Sequence, residues 1–374
     1  MKRFLAWLLL AATLLSLCAC SASPAVQEPG EAPAEPAAAE PAAAEPSAAT
    51  APAAVPQTEA PASEGSLFLK VSSVTFSLVG ESDDIYMGLV PREEVTWESE
   101  DPAVVSVENG ILTATGVGST TIRATYGGQQ VTCAAGCLAQ TQEELASLPT
   151  EILSAPKRLP PEIGLEEPCT CFDNAAIVGD SITYFLFQWE SKTNYLGDML
   201  FLARGGVSMN GFVYRSKNIY YKGKEMHLED AIAKSQVERV YFLMGSNDIQ
   251  SKNQRPHLFE NWDIMLERIR EKSPDVELVL LSNIPLYGND EEAKSEKFQN
   301  HNSMIEEYNI QLKQYAEENG CLYLDLCYYV LDHQGRMPEM YSQGSYHMNE
   351  AGCLNWMKIL RHYAQYELEG GTLS

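Results

Sequence analysis

Three polar side chains have the types and positions needed for nucleophilic catalysis. Ser181 follows the apolar run "AAIV" in "GDS", Asn247 follows "VYFLM" in "GSND", and His347 lies in "QGSYHMNEAG". A serine hydroxyl is a weak nucleophile until a neighbouring base accepts its proton, and a histidine with its usual pKa of about 6.5 can do this near neutral pH. A side-chain amide can donate a hydrogen bond to the oxyanion that forms in acyl transfer. The residue types therefore suit ester chemistry.

The surrounding elements predict a sheet that brings these side chains together. From about residue 174 to 368, strands rich in Val, Ile and Leu alternate with helices. Such strands are buried on both faces, which predicts a doubly wound, three-layer α/β sandwich with a mostly parallel, flavodoxin-like sheet. Ligands bind beyond the carboxyl ends of such strands, where the polar clusters fall. Asp180 and Asp325, also at strand ends, are predicted to be structural.

Four short motifs in this stretch resemble those of the SGNH, or GDSL-like, hydrolase family. They are "VGDSIT", "ARGGVSMNG", "MGSND" and "SYHMNEAG". The resemblance implies a serine hydrolase acting on ester bonds, with Ser181 as nucleophile and His347 as base. It also implies an oxyanion hole made by the backbone N–H of Ser181, the backbone N–H of Gly206 and the side-chain amide of Asn247. Gly205 is the alternative oxyanion glycine.

One position departs from the family pattern. Family members carry Asp three residues before the histidine, where this chain has Gly344. In one alternative, the enzyme runs on a Ser–His dyad whose imidazole is held by a backbone carbonyl or by the Gln343 amide. In another, a carboxylate such as Asp332 or Glu339 reaches in from elsewhere. In the third, the domain has lost catalysis and only binds.

A smaller domain is predicted before the α/β part. Residues 66–140 show short alternating segments separated by turns, which predicts a small β-sandwich. The run from Trp97, "SEDPAVVSVENGILTATGVGSTTIRATYGG", resembles the bacterial immunoglobulin-like group 2 repeat, and its "NG" predicts a hairpin turn. Trp97 is expected in the core. The resemblance implies a spacer or an adhesive module, and residues 141–172 are predicted to link this domain to the hydrolase domain at 173–374.

The first residues predict export and a lipid anchor. Residues 1–20, "MKRFLAWLLLAATLLSLCAC", have the charged start, apolar run and small-residue cleavage site of a signal peptide. "LCAC" resembles a lipobox, which implies lipidation of Cys20 and attachment to the membrane through lipid chains. Residues 21–65 are rich in Ala, Pro and Glu and are predicted to be a disordered linker. The expected location is the cell membrane, facing the extracellular side.

The net charge and the cysteine spacing argue against nucleic-acid-binding and metal-binding functions. The formal net charge of −25 argues against nucleic acid and against anionic lipid surfaces as partners. Seven of the nine cysteines follow Cys20, and an odd number leaves at least one unpaired. "CTC" and "CAAGC" have no second pair and no nearby histidine, so no metal site is predicted. No phosphate-binding loop and no GxGxxG motif occurs, and no cofactor is expected.

The expected function combines these predictions. The chain is expected to be an extracytoplasmic, membrane-anchored serine esterase that removes small acyl groups, O-acetyl above all, from a glycan. A lipase or lysophospholipase of the same family is the enzymatic alternative. A surface-binding protein without catalysis is the alternative from another class.

Overall fold

The computed structural model describes residues 65–163, 169–215, 218–288, 295–344 and 346–371. The predicted signal peptide with Cys20, and the predicted linker as far as residue 64, lie outside these ranges. Lipidation, membrane attachment and an extracellular location therefore stay predictions. None of the helices within the described ranges is both long and apolar enough to cross a membrane.

The first described part, residues 65–163, is built from short strands. Their bounds are β1 Ser73–Leu78, β2 Ser82–Asp84, β3 Thr96–Ser99, β4 Val105–Glu108, β5 Ile111–Ala114, β6 Gly118–Tyr126, β7 Gln129–Ala139 and β8 Arg158–Leu159. One sheet has the order β3–β6–β7–β1–β8 and the other has the order β2–β5–β4. Both sheets contribute fully buried side chains to one apolar core, Val105 and Leu112 from the smaller sheet and Ile122 from the larger.

The predicted Asn-Gly turn joins β4 to β5. Asn109 and Gly110 both have positive φ, 49° and 81°, as a two-residue hairpin turn of type I′ requires. A Cβ on Gly110 would lie 2.9 Å from the Trp97 ring, so glycine at this position lets the ring pack against the turn. Trp97 is partly buried against the core, as expected. The resemblance to the immunoglobulin-like repeat stays a prediction.

The stretch predicted as a linker, residues 141–172, contains regular structure. It includes helix α1 (Gln142–Ala146), helix α2 (Thr150–Leu153) and strand β8, which pairs antiparallel with β1. Cys169 and Cys171 are joined by a disulfide bond. Elements this short leave no periodic hydrophobic pattern, which is why the sequence did not predict them.

The second described part carries the remaining strands and helices. The strands are β9 Ala175–Gly179, β10 Leu200–Ala203, β11 Ile219–Tyr221, β12 Lys224–Met226, β13 Arg239–Leu243, β14 Glu277–Leu281 and β15 Leu322–Leu324. The α-helices are α3 Ser181–Thr193, α4 Met209–Tyr214, α5 Leu228–Ser235, α6 Ser246–Gln250, α7 Leu258–Lys272, α8 Glu296–Glu318, α9 Cys327–Val330 and α10 Glu350–Leu368. Short 3₁₀ helices lie at Arg92–Glu94, Thr170–Phe172, Arg255–His257 and Glu339–Tyr341.

The main sheet is parallel, with the order β10–β9–β13–β14–β15. Alternate strand residues enter two different cores. Ile177 and Val279 share one core with Trp356 of α10, whereas Val178 and Phe242 share the other with helices α7 and α8. Helices thus cover both faces, and the predicted doubly wound fold is confirmed for this part. The chain passes from β9 to β10 on one side and later to β13 on the other, which makes the carboxyl end of β9 the switch point.

The sequence missed three strands of this part. Strand β10 has four residues, and β11 and β12, three residues each, form a separate antiparallel hairpin. Their apolar runs are too short to stand out from the loops around them. Strand β10 matters for function because it leads into the glycine-bearing loop.

The two described parts pack together, and residues 64–374 form one compact unit. The buried carboxylate of Asp83 accepts hydrogen bonds from Arg158 Nε at 2.6 Å and from the Tyr328 hydroxyl at 3.0 Å. Ser77 and His333 are hydrogen-bonded at 3.0 Å. The β part is therefore attached to the α/β part through buried polar contacts as well as through the chain.

Acid should weaken this packing through His362, which lies on α10 with its Nε2 3.1 Å from the Met87 sulfur. Burial lowers the pKa of His362 to about 4 from 6.5. Above pH 6.5 the histidine is neutral in both the folded and the unfolded state. As the pH falls from 6.5 towards 4, the unfolded state binds the proton more readily than the folded state, and stability is lost. Urea unfolding between these limits should show the free energy of unfolding falling by up to about 1.4 kcal/mol per pH unit for this group.

His362→Gln should reduce that pH dependence, because glutamine takes up no proton in this range. An unchanged slope in His362→Gln would show that His362 does not control acid stability.

Candidate active site

Ser181 is the first residue of α3 and follows β9 after one intervening residue. Gly179 ends the strand, and a Cβ there would collide with the Thr183 side chain, so the turn requires glycine. Asp180 is the N-cap of the helix and accepts a hydrogen bond from the backbone N–H of Ile182 at 2.9 Å, the structural role predicted for it. The serine therefore lies at a sharp strand-to-helix turn at the switch point of the sheet.

His347 lies opposite the serine, in the loop before α10. Its Nε2 is 3.0 Å from Ser181 Oγ, which is hydrogen-bond distance for proton transfer. The backbone N–H of Gln343 donates to the His347 carbonyl oxygen at 2.7 Å. Asn349 caps α10 by accepting from the Gly352 N–H at 3.1 Å. The fold thus brings together the serine and the histidine that the sequence singled out.

No described residue accepts a hydrogen bond from the other ring nitrogen, Nδ1 of His347. Asp332 is buried in its own loop, where its Oδ1 accepts two backbone N–H groups. Glu339 is exposed, and Gln343 reaches the histidine through its backbone. None of the orienting side chains considered from the sequence contacts the imidazole.

The shape of the loop accounts for the missing aspartate. Gly344, at the position where the family carries Asp, has φ +84°. This is the left-handed region, in which a residue with a side chain is strained. The Ser342 hydroxyl donates to the Gly344 carbonyl oxygen at 2.6 Å and supports this conformation. An aspartate in this backbone conformation would be strained, although a Cβ at this position would meet no neighbouring atom.

Phe185 contacts the imidazole instead. Its ring centroid lies 4.6 Å from that of His347, with 44° between the ring planes. Phe185 comes one helical turn after Ser181, and side chains four residues apart lie on one face of a helix. Sequence reasoning missed this residue, although its spacing from the serine was visible. Packing against Phe185 limits the orientations that the imidazole can adopt.

Asn247 lies between the loops that carry the serine and the glycines. Its amide nitrogen donates to Asp180 Oδ2 at 2.9 Å and to the Val207 carbonyl oxygen at 2.7 Å. Both amide protons are thus bonded to protein acceptors, and neither is directed to the space beside Ser181. The residue is near the site that the sequence predicted, but it acts here as a bridge between loops.

The Asp180 carboxyl is the buried centre of this bridge, with 2% of its surface exposed. Burial raises its pKa, whereas hydrogen bonds from the Ser246 hydroxyl and the Ile182 N–H, and the charge of His347, act in the opposite direction. The carboxyl makes its hydrogen bonds to groups of the neighbouring loops, and none to the His347 imidazole.

Asp248 fixes the neighbouring loop. It is fully buried and accepts hydrogen bonds from the backbone N–H groups of Met209 at 2.8 Å and Asn210 at 3.1 Å. These bonds hold the first turn of α4, which directly follows the glycine-bearing loop. The sequence pointed to the "SND" cluster but not to this role.

Gly205 and Gly206 form the exposed tip of the loop after β10. The Arg204 N–H donates to the Gly179 carbonyl oxygen at 3.1 Å and ties this loop to the end of β9. Gly206 has φ +71°, which only glycine adopts easily. Neither glycine N–H donates to a described residue, so both remain candidate oxyanion donors. The Ser181 N–H, at the first helical position, also lacks an acceptor within its helix.

Part of the chain matches a known protein family, and several solved structures are similar to it. The model of the GDSL-like Lipase/Acylhydrolase family matches residues 177–353. A GDSL-like lipase from Bacteroides thetaiotaomicron VPI-5482 has a similar structure, with 13% identity, coverage of 54% of this chain and 91% of that chain, and a TM-score of 0.41. A catalytic mutant of an acetylxylan esterase from Geobacillus stearothermophilus is similar at 15% identity, over 52% of this chain and 93% of that chain, with a TM-score of 0.33. No curated protein gave a significant match.

The family match spans the serine, both glycines, the asparagine and the histidine of the site. The hydrogen-bonded serine and histidine are the groups that ester hydrolysis needs. Residues 177–353 thus match the model of a GDSL-like lipase/acylhydrolase domain, and the protein is an ester-hydrolysing serine hydrolase.

Proposed function

We propose that the protein hydrolyses small acyl esters, O-acetyl groups above all, on an extracellular glycan through a Ser181–His347 dyad. The observation that carries the dyad is the 3.0 Å hydrogen bond between His347 Nε2 and Ser181 Oγ. The predicted signal peptide, lipid anchor at Cys20 and long linker support an extracellular glycan as substrate, because together they would hold the domain outside the membrane.

In the first half of the reaction, His347 Nε2 accepts the Ser181 proton as Oγ attacks the ester carbonyl carbon. The carbonyl oxygen becomes an oxyanion bound by the N–H groups of Ser181 and Gly206. The Asn247 amide joins them when this oxygen replaces one of its protein acceptors. The imidazolium then protonates the leaving alcohol oxygen, the ester C–O bond breaks, and an acyl-serine remains.

Water completes the cycle. His347 takes a proton from water as its oxygen attacks the acyl-serine carbonyl, and the same donors bind the second oxyanion. The imidazolium returns that proton to Ser181 Oγ as the acyl bond breaks and the carboxylic acid leaves. Each oxyanion donor of this kind is typically worth about 3 kcal/mol of transition-state stabilisation.

The dyad works without an aspartate because packing and backbone contacts take over one function of that residue, the orientation of the imidazole. An aspartate in a triad orients the imidazole and stabilises the imidazolium. In this chain, Phe185 and the bond from the Gln343 N–H restrict the ring and its loop. The Asp180 carboxyl lies buried on the serine side of the site, where it caps the helix that carries Ser181.

Hydrolysis of p-nitrophenyl esters of increasing acyl length tests the nucleophile and the substrate class. The wild-type protein should hydrolyse the acetate ester faster than long-chain esters, and Ser181→Ala should lower kcat by at least about 10³-fold. Turnover unchanged in Ser181→Ala would remove the proposed nucleophile. A preference for long acyl chains would favour the lipase alternative.

Substitution of the two carboxylates considered from the sequence tests the dyad. Glu339→Gln and Asp332→Asn should each leave kcat within about threefold of wild type, because neither side chain contacts the imidazole. A loss of orders of magnitude in either variant, with the melting temperature unchanged, would identify a recruited acid and contradict the dyad.

Substitution of Phe185 tests how the base is positioned. Phe185→Ala should lower kcat about tenfold, because the imidazole gains orientations in which Nε2 does not face the serine. Phe185→Tyr keeps the ring and should stay close to wild type. The KM for p-nitrophenyl acetate should change less than kcat. Equal activity of Phe185→Ala and wild type would show that packing does not orient the base.

A further inference from the structure

A cavity of about 500 Å³ lies beside the loop that carries the candidate oxyanion glycines. It is lined by Arg204, Gly205 and Val207 of this loop, by Tyr214 at the end of α4, and by residues of the β11–β12 hairpin region. Its volume is in the range of small-molecule sites. Val207 of this lining accepts a hydrogen bond from Asn247, so the cavity shares the glycine-bearing loop with the candidate active site.

The most buried polar residue that lines this cavity is Asn218, with 2% of its surface exposed. Its amide nitrogen donates to the carbonyl oxygens of Phe212 at 2.7 Å and Arg215 at 3.4 Å. Its side-chain oxygen is buried and has no hydrogen-bond donor among the described residues. Buried acceptors are rarely left unpaired in native structures, so this atom points to a ligand that supplies a hydroxyl or N–H group.

The rim of the cavity combines charge and an aromatic ring. Arg204 Nη1 and Glu225 Oε1 form an ion pair at 3.4 Å, and both side chains are partly exposed. Together they offer hydrogen-bond donors and an acceptor with no net charge. The Tyr214 side chain is 67% exposed beside them, which leaves its ring free to stack on a ligand.

We propose that this cavity binds a neutral sugar unit on the alcohol side of the ester, a role that rests on the function proposed above. A sugar ring has hydroxyls for Asn218, Arg204 and Glu225, and apolar C–H faces for Tyr214. An acyl chain would leave the polar groups unpaired. An anionic ligand would be repelled by Glu225, which already neutralises Arg204.

The substrate preference of Tyr214→Ala tests this assignment. The measured quantity is kcat/KM for a partially acetylated cello-oligosaccharide divided by kcat/KM for p-nitrophenyl acetate, which has no sugar. The ratio should fall about tenfold in Tyr214→Ala, as for loss of an aromatic anchor. Tyr220→Ala is the matched control, since Tyr220 is 64% exposed on β11 and does not line the cavity, and it should keep the wild-type ratio.

A binding measurement separates the cavity from the chemistry. In a Ser181→Ala background, titration calorimetry with the same acetylated oligosaccharide should give a Kd about tenfold higher when Tyr214→Ala is added. An unchanged ratio together with an unchanged Kd would overturn the sugar site, as would absence of oligosaccharide binding. A wild-type protein that hydrolyses neither ester would instead overturn the proposed function, and the calorimetry would still decide the cavity.

Discussion

The site depends on one buried carboxylate, that of Asp180. One oxygen caps the helix that begins at Ser181, and the other accepts from Asn247 and from the Ser246 hydroxyl. These bonds join the loop after β9 to the loop after β13. Burying a carboxyl group is costly, and its raised pKa reflects that cost, but the convergent donors offset part of it. An apolar side chain would leave these donors without a common acceptor.

Further hydrogen bonds connect the residues around Asp180 to the glycine-bearing loop. Asn247 also donates to the Val207 carbonyl oxygen, and the fully buried Asp248 holds the first turn of α4. The "SND" cluster therefore positions the loops on both of its sides. Because its amide is bonded to two protein acceptors, Asn247 fixes the distance between these loops before substrate binds.

Much of this arrangement was predictable from the sequence, for a physical reason. Strands buried on both faces give long apolar runs, and parallel strands end at one edge, so Ser181 and Asn247 could be placed together from the sequence. His347 follows no strand and was placed with them by its resemblance to a family motif. Phe185, Asn218 and strand β10 were not predicted. A side chain that acts through packing has no motif, and a strand of four residues has no measurable period. The φ of Gly344, which explains the missing aspartate, is likewise a property of the folded loop.

The β part contributes to the site through helix α10. Asn349 caps the first turn of this helix and bonds the carbonyl oxygens of Met340 and Ser342, in the loop that bears His347. Near the other end, the Tyr366 hydroxyl donates to the Met87 carbonyl oxygen, and His362 lies against the Met87 sulfur. An α-helix of 19 residues is a stiff element about 28 Å long. Contacts with the β part at one end and with the loop that bears His347 at the other thus meet on a single helix.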